Sequence, residues 1–163
     1  MEVMGDRPSK MRPGKFEAAR VARVAAVQAM FQIFHQSLSK DEVIEQFLRY
    51  RLSSKDYPCV ANKSLFADLV NATLNRLEEI DHIIEESLTD EYTLDRLDPV
   101  LKAILRVGAA ELLNQQTKIP PPVVISEYVD ITKGFYEGTE PAFVNSLLDS
   151  LAKKLGLSLT PHK

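Results

Sequence analysis

Apolar residues recur at three- and four-residue spacing along most of this chain, and that pattern predicts helices from end to end. From Phe16 to about Ser37, the residues Val24, Val27, Phe31, Phe34 and then Leu38 share one helical face. Followed backwards, the same stripe reaches Arg20 and Arg23, so the helix starts with guanidinium groups where its later turns carry hydrophobes. Ala22, Ala26, Ala29 and Ile33 make a second apolar face, which predicts two packing neighbours. Ser39 and Glu42 have the spacing of a capping box and should open a short helix through Val43, Ile44, Phe47 and Leu48. Residues 51–62, with Pro58 and Asn62, read as a loop. A long helix is expected from about Lys63 to Ser87, with Phe66, Leu69, Thr73, Leu77, Ile80 and Ile84 on one face.

The stretch from Asp98 to Gln116 has the most deeply buried pattern. Asp98 suits an N-cap, and Pro99 suits the first helical position, where its missing N–H is no loss. Val100, Leu101, Ala103, Ile104, Leu105, Val107, Gly108, Leu112 and Leu113 then cover almost the whole circumference, as in a helix surrounded by other helices. Lys102 and Arg106 form the only polar strip. Glu111 lies roughly 140° around the axis from Arg106, so the two charges cannot meet across one helix. A short helical turn around Thr93 to Leu97 leads into this element. Beyond it, Ile119 to Pro122 breaks the chain, and a helix is expected from Pro122 through Val124, Tyr128, Ile131 and Phe135, with Gly138 as its stop. Thr139 should cap a last helix whose stripe is Phe143, Val144, Leu147, Leu148, Leu151 and Leu155, ending near Gly156.

These elements make an all-α protein of about seven helices. Residues 1–14 carry prolines, glycines and little apolar periodicity, and read as a flexible basic arm. One domain is expected over 15–157, with subdomains about 15–90 and 91–157, and a tail at 158–163. A chain of 163 residues buries about 70% of the surface its unfolded form exposes. Its 45% apolar and 26% charged residues are ordinary for a soluble protein. No apolar run approaches the roughly 18 to 20 residues of a membrane span, and the N-terminus lacks the apolar core of a secretory signal. A cytoplasmic location and no membrane partner follow as expectations.

Charge adds an asymmetry that the net value of −3 conceals. Arg7, Lys10, Arg12, Lys15, Arg20, Arg23 and Lys40 stand against Glu17 alone, whereas residues 77–91 hold Glu78, Glu79, Asp81, Glu85, Glu86, Asp90 and Glu91 with no cation. Such polarity suits one polyanionic and one basic partner, or simply two solvated faces.

Candidate chemistry is sparse. The chain has one cysteine, Cys59, and three scattered histidines, so neither a disulfide framework nor a metal-ligand set is expected, and no cofactor motif is present. Arg106 and Glu111 on the buried helix could mark an active site. Without catalytic companions they read instead as structural ion pairs to other helices, for instance Arg106 with Glu127. The basic first helix is the better functional feature. Arg12, Lys15, Arg20 and Arg23 could track a phosphate backbone, while Phe143 and Asn145, near the start of the last helix, offer a ring for stacking and an amide for base edges. Spacing alone leaves those last two open between an RNA contact and a core ring with a surface amide.

Four stretches in order, AAVQAMFQIF (25–34), LDPVLKAILRVGAAELL (97–113), IPPPVVISEYVDITKGF (119–135) and FVNSLLDSLA (143–152), resemble the transcription antitermination factor NusB family. The resemblance spans residues 16–156. It implies two small helical bundles, three helices up to about Leu88 and the rest beyond, and no catalysis. Family members bind the single-stranded boxA element of ribosomal RNA leaders together with the small-subunit ribosomal protein NusE, and that complex joins RNA polymerase to promote read-through. Some members are homodimers that cover the RNA surface. By the resemblance, Arg20, Arg23 and Phe31 of the first helix and Phe143 with Asn145 of the last lie on the RNA side. NusE would dock around Asp95 to Leu105, with Asp95, Leu101, Lys102 and Leu105 as contacts. The chain departs from many relatives in its thinner arginine run, in Ser146 where a glycine commonly follows FVN, and in Leu101 where some carry an acid. The competing reading is a helical protein-protein scaffold that binds no RNA.

Overall fold

The computed structural model describes residues 15–52, 61–89, 92–114, 119–157 and 159, with only the backbone described at 15 and 16. The basic arm with Arg12, the loop residues 53–60 and the tail residues 160–163 lie outside the described residues. Among those described, the regular elements are all helical: α1 (Lys15–Gln36), α2 (Lys40–Gln46), α3 (Lys63–Asn75), α4 (Leu77–Ser87), α5 (Pro99–Leu113), α6 (Pro121–Phe135) and α7 (Glu140–Lys154). A π-helical turn over Phe47–Arg51 extends α2, and a 3₁₀ turn over Leu94–Arg96 precedes α5. No described helix is long and apolar enough to cross a membrane.

The chain divides into two compact units, Met1–Val70 and Asn71–Lys163. The division falls inside α3, earlier than the expected one near residue 90. The cause lies in α4, which packs on α5 and α7 and so belongs to the second unit.

In the first unit, Ala22, Ala25, Ala26 and Ala29 of α1 are completely buried, and their small side chains let neighbouring segments approach the helix axis closely. Val27, Met30, Val43, Phe47 and Phe66 fill the remaining core, with the Phe47 and Phe66 rings stacked at 5.4 Å. The capping box is present: the Ser39 hydroxyl accepts from the Glu42 backbone N–H at 3.2 Å, and the Glu42 carboxylate reaches back to the Ser39 N–H. Asn62, expected only as part of a loop, caps α3 by accepting the Leu65 N–H at 2.9 Å. The end of α1 lies at Ser37, whose φ of 56° is left-handed and unfavourable for a side chain.

The expected long helix from Lys63 to Ser87 is interrupted at Arg76, which leaves helical geometry at φ −121° and ψ 29°. The interruption changes the electrostatics of the acidic run. Glu78 and Glu79 fall in the first turn of α4, where the helix dipole favours anions, instead of near the end of one long helix. Arg76 binds Glu79 through two hydrogen bonds of 2.8 Å.

In the second unit, α5 is the central post, packed against α4, α6 and α7. As its pattern predicts, Leu101, Ala103, Ile104, Leu105, Val107 and Leu112 are buried, and Lys102 and Arg106 form the partly exposed strip. Asp98 caps it by accepting the Val100 N–H at 3.2 Å. Gly108 allows the tightest packing: a Cβ there would lie 3.2 Å from Leu148 and 3.3 Å from the Tyr128 ring. Helix α6 begins one residue earlier than expected, and it ends at Phe135, short of Gly138. Helix α7 ends in a Schellman motif, in which Gly156 (φ 76°) donates to Lys153 and Leu157 to Ala152, both at 3.0 Å.

Candidate nucleic-acid interface

In the first unit the candidate residues lie along α1. Arg20 is exposed, and Phe31 falls about 20° from the same line along the helix, three turns on. Phe31 is half-buried and stacks on His35 with ring centroids 4.7 Å apart and planes 18° off parallel, and Phe34 beside them is 45% exposed. Lys15 is the first residue of the helix, and its side chain lies outside the described residues. Arg23 departs from the expectation of a row of outward cations. It is only 2% exposed and already engaged, because its position on α1 falls among the buried alanines rather than beyond them. Two groups that sequence reasoning missed follow α2: Tyr50 is 66% exposed, and the Arg51 guanidinium lies 4.6 Å over the Phe47 ring. The cation–aromatic spacing of Phe47 and Arg51, four residues apart, was the available signal for the latter.

In the second unit, Phe143 and Asn145 both lie near the start of α7 but point about 200° apart, as any two residues at i and i+2 of a helix must. Phe143 is half-buried, with Tyr92 tilted against it at 5.7 Å. Asn145 is exposed and lines a shallow groove of about 270 Å³ between α6 and α7, with Ser126, Asp130, Lys133 and Asp149. The structure therefore separates the ring from the amide. Tyr92 was missed because nothing in its local sequence marks it as paired with a residue on α7.

Around the start of α5, Asp95 is exposed and Lys102 half-buried, whereas Leu101 and Leu105 are 6% and 0% exposed. Of the four expected contacts, the two leucines belong to the core, because α5 is enclosed on the sides they occupy. The Tyr136 hydroxyl hydrogen-bonds the Asp98 carboxylate, tying the end of α6 to the start of α5. Burial first, and then this bond to an anion, hold the Tyr136 hydroxyl well above the ordinary tyrosine range.

The buried charges on α5 are paired. Arg106 binds Asp81 of α4 through hydrogen bonds of 2.8 and 3.0 Å. Elsewhere around α5, Glu111 faces α6. There the Tyr128 hydroxyl donates to Glu111 at 2.7 Å. Glu127 is 8% exposed and has its own interaction. Among the described residues no cluster of three or more potential metal ligands occurs.

This helical framework matches a model of the NusB family over residues 20–153. The chain belongs to the NusB family. A transcription antitermination protein NusB from Granulibacter bethesdensis is 44% identical over 142 residues, covering 82% of this chain and 86% of that protein. Another, from Bartonella henselae, is 38% identical and covers 94% and 99%. Among solved structures, T. maritima NusB superposes with a TM-score of 0.71 at 27% identity, covering 88% of this chain and 94% of that one. A chain from a crystal structure of the antitermination factors NusB and NusE with double-stranded RNA gives 0.70 at 27%, covering 83% and 96%. The all-α class read from periodicity and the family read from the four motifs both stand.

Proposed function

We propose that this protein is an RNA-binding antitermination factor of the cytoplasm that acts with the ribosomal protein NusE on boxA-type single-stranded RNA, joins the RNA polymerase antitermination complex, and works by binding rather than catalysis. Membership of the NusB family carries this reading, supported by the similarity to a NusB solved with NusE and RNA. The exposed Arg20, with Lys15 and Arg12 upstream, supplies phosphate contacts. Phe31, Phe143 and Asn145 supply base contacts. Arg23, buried as it is, acts by fixing the first turns of α1 rather than by touching RNA. Asp95 and Lys102 are the side chains of the α5 region that NusE reaches first. Leu101 and Leu105 hold that region in shape from beneath.

The test is binding of a short boxA-like RNA, with and without NusE, over a range of salt. Each phosphate neutralised contributes about 0.7 to the slope of log affinity against log salt for a single strand, so Arg20→Ala should flatten the slope by about that amount. No binding in any combination would leave a protein-only scaffold as the better reading. Sizing the free protein reports whether a homodimer forms, and a dimer that covers the RNA surface should dissociate on adding RNA with NusE.

A further inference from the structure

The aromatic contact between Tyr92 and Phe143 is not accounted for by the packing of the second unit. Phe143 is half-buried and held by α7, but Tyr92 leaves 48% of its surface in solvent. The position of Tyr92 is nevertheless fixed on both sides. Its backbone N–H donates to the Thr89 carbonyl at 3.0 Å, and two residues later Leu94, only 4% exposed, anchors the 3₁₀ turn in the core. The two rings meet with centroids 5.7 Å apart and planes at 50°, within the range of stable aromatic pairs. An exposed ring held in this way has lost its freedom before any ligand arrives.

We propose that Tyr92, backed by Phe143, is a stacking platform for one nucleobase of single-stranded RNA. The proposal rests on the RNA-binding reading above and deepens it, since it adds a base contact from outside α1 and α7. The chemistry around the ring favours a base over a protein side chain. Among the described residues next to it in the chain, Thr93, Asp95 and Arg96 are exposed and polar, unlike the contiguous apolar patch that marks a protein interface. Base stacking needs one accessible ring face and tolerates polar surroundings. Asp95 and Arg96 carry opposite charges, and removing the Tyr92 ring changes neither, so Tyr92 should add affinity through its ring and not through charge. Because every base has a π-face, it should also add affinity without strong sequence preference.

The experiment uses the full chain with NusE and a short single-stranded boxA-like RNA carrying the fluorescent base 2-aminopurine at one position at a time. Wild type and Tyr92→Phe should bind alike, and both should quench the fluorescence at one position. Tyr92→Ala should lose that quenching and bind roughly 5- to 100-fold more weakly, with the salt slope unchanged because no phosphate contact is lost. Unchanged circular dichroism would show that this surface variant is folded. If Tyr92→Ala binds and quenches like wild type while Arg20→Ala is still weakened, the platform is overturned and the RNA-binding reading stands. If the wild type binds no RNA, both fall. If Tyr92→Ala instead weakens binding of NusE in the absence of RNA, the ring is a protein contact and the platform is overturned.

Discussion

Glu111 shows how a buried acid is accommodated: α5 carries it into the core, and the Tyr128 hydroxyl of α6 meets it at 2.7 Å. Tyr128→Phe should therefore lower the free energy of unfolding by about 1–3 kcal/mol, measured by urea denaturation, because a buried acceptor loses a donor. Arg106 and Asp81 leave only 13% and 26% of their side chains exposed and share two short hydrogen bonds. A double-mutant cycle on the pair should return a coupling of about 1–2 kcal/mol. Tyr136 gives a pH signature. Its hydroxyl titrates above the ordinary value of 10.0, so the folded protein holds that proton longer than the unfolded chain does. The stability this contributes is complete below the unfolded value and is lost as pH rises beyond it. Tyr136→Phe should make the alkaline fall in stability shallower than in wild type, as read by melting temperature against pH. That α5 buries a charge was legible in its all-round apolar pattern. Which residues answer the charges was not, since Asp81 and Tyr128 are distant in sequence and only packing brings them near.

At the scale of elements, most local sequence marks succeeded, although α6 stops before Gly138 and Thr139 precedes α7 without a side-chain capping bond. The Ser39 capping box, the Asp98–Pro99 start of α5 and the Gly156 stop of α7 all depend on a few consecutive residues, and each is found as read. The interruption at Arg76 escaped because neither glycine nor proline marks it. Two helix ends adopt left-handed geometry, one with a serine and one with a glycine, and they should respond oppositely. Ser37→Gly removes a side chain from an unfavourable conformation and should stabilise by about 1 kcal/mol, while Gly156→Ala introduces one and should cost about the same. Enclosure of α5 by α4, α6 and α7 predicts a further observable. Its amides should be among the slowest to exchange with deuterium, since opening them requires loss of the second unit's core.

At the scale of the molecule, the basic stretch of the sequence lies in the first compact unit, whereas the acidic run lies in the second. The acidic run is less free than its sequence suggests: Glu79 pairs with Arg76, Asp81 with Arg106, and Glu86 lies 3.2 Å from His82. Of the two partners that the charge pattern suits, the polyanion is therefore the better served. The RNA complex should weaken with added salt, and NusE binding in the absence of RNA should depend on salt less steeply. Burial is what the sequence could not display at this scale. Arg20 and Arg23 look alike in the sequence, yet one meets solvent and the other is enclosed.

The carboxylate of Asp98 serves two helices at once, capping the first turn of α5 and receiving the hydroxyl of Tyr136, which lies 38 residues away at the end of α6. A defect at Tyr136 would thus be felt where NusE is proposed to dock, although Tyr136 itself need never touch it. In a screen for weakened assembly, such a substitution would pass for an interface mutation. Only a crosslink or a solved complex would reveal it as a fault in the mounting of the surface rather than in the surface itself.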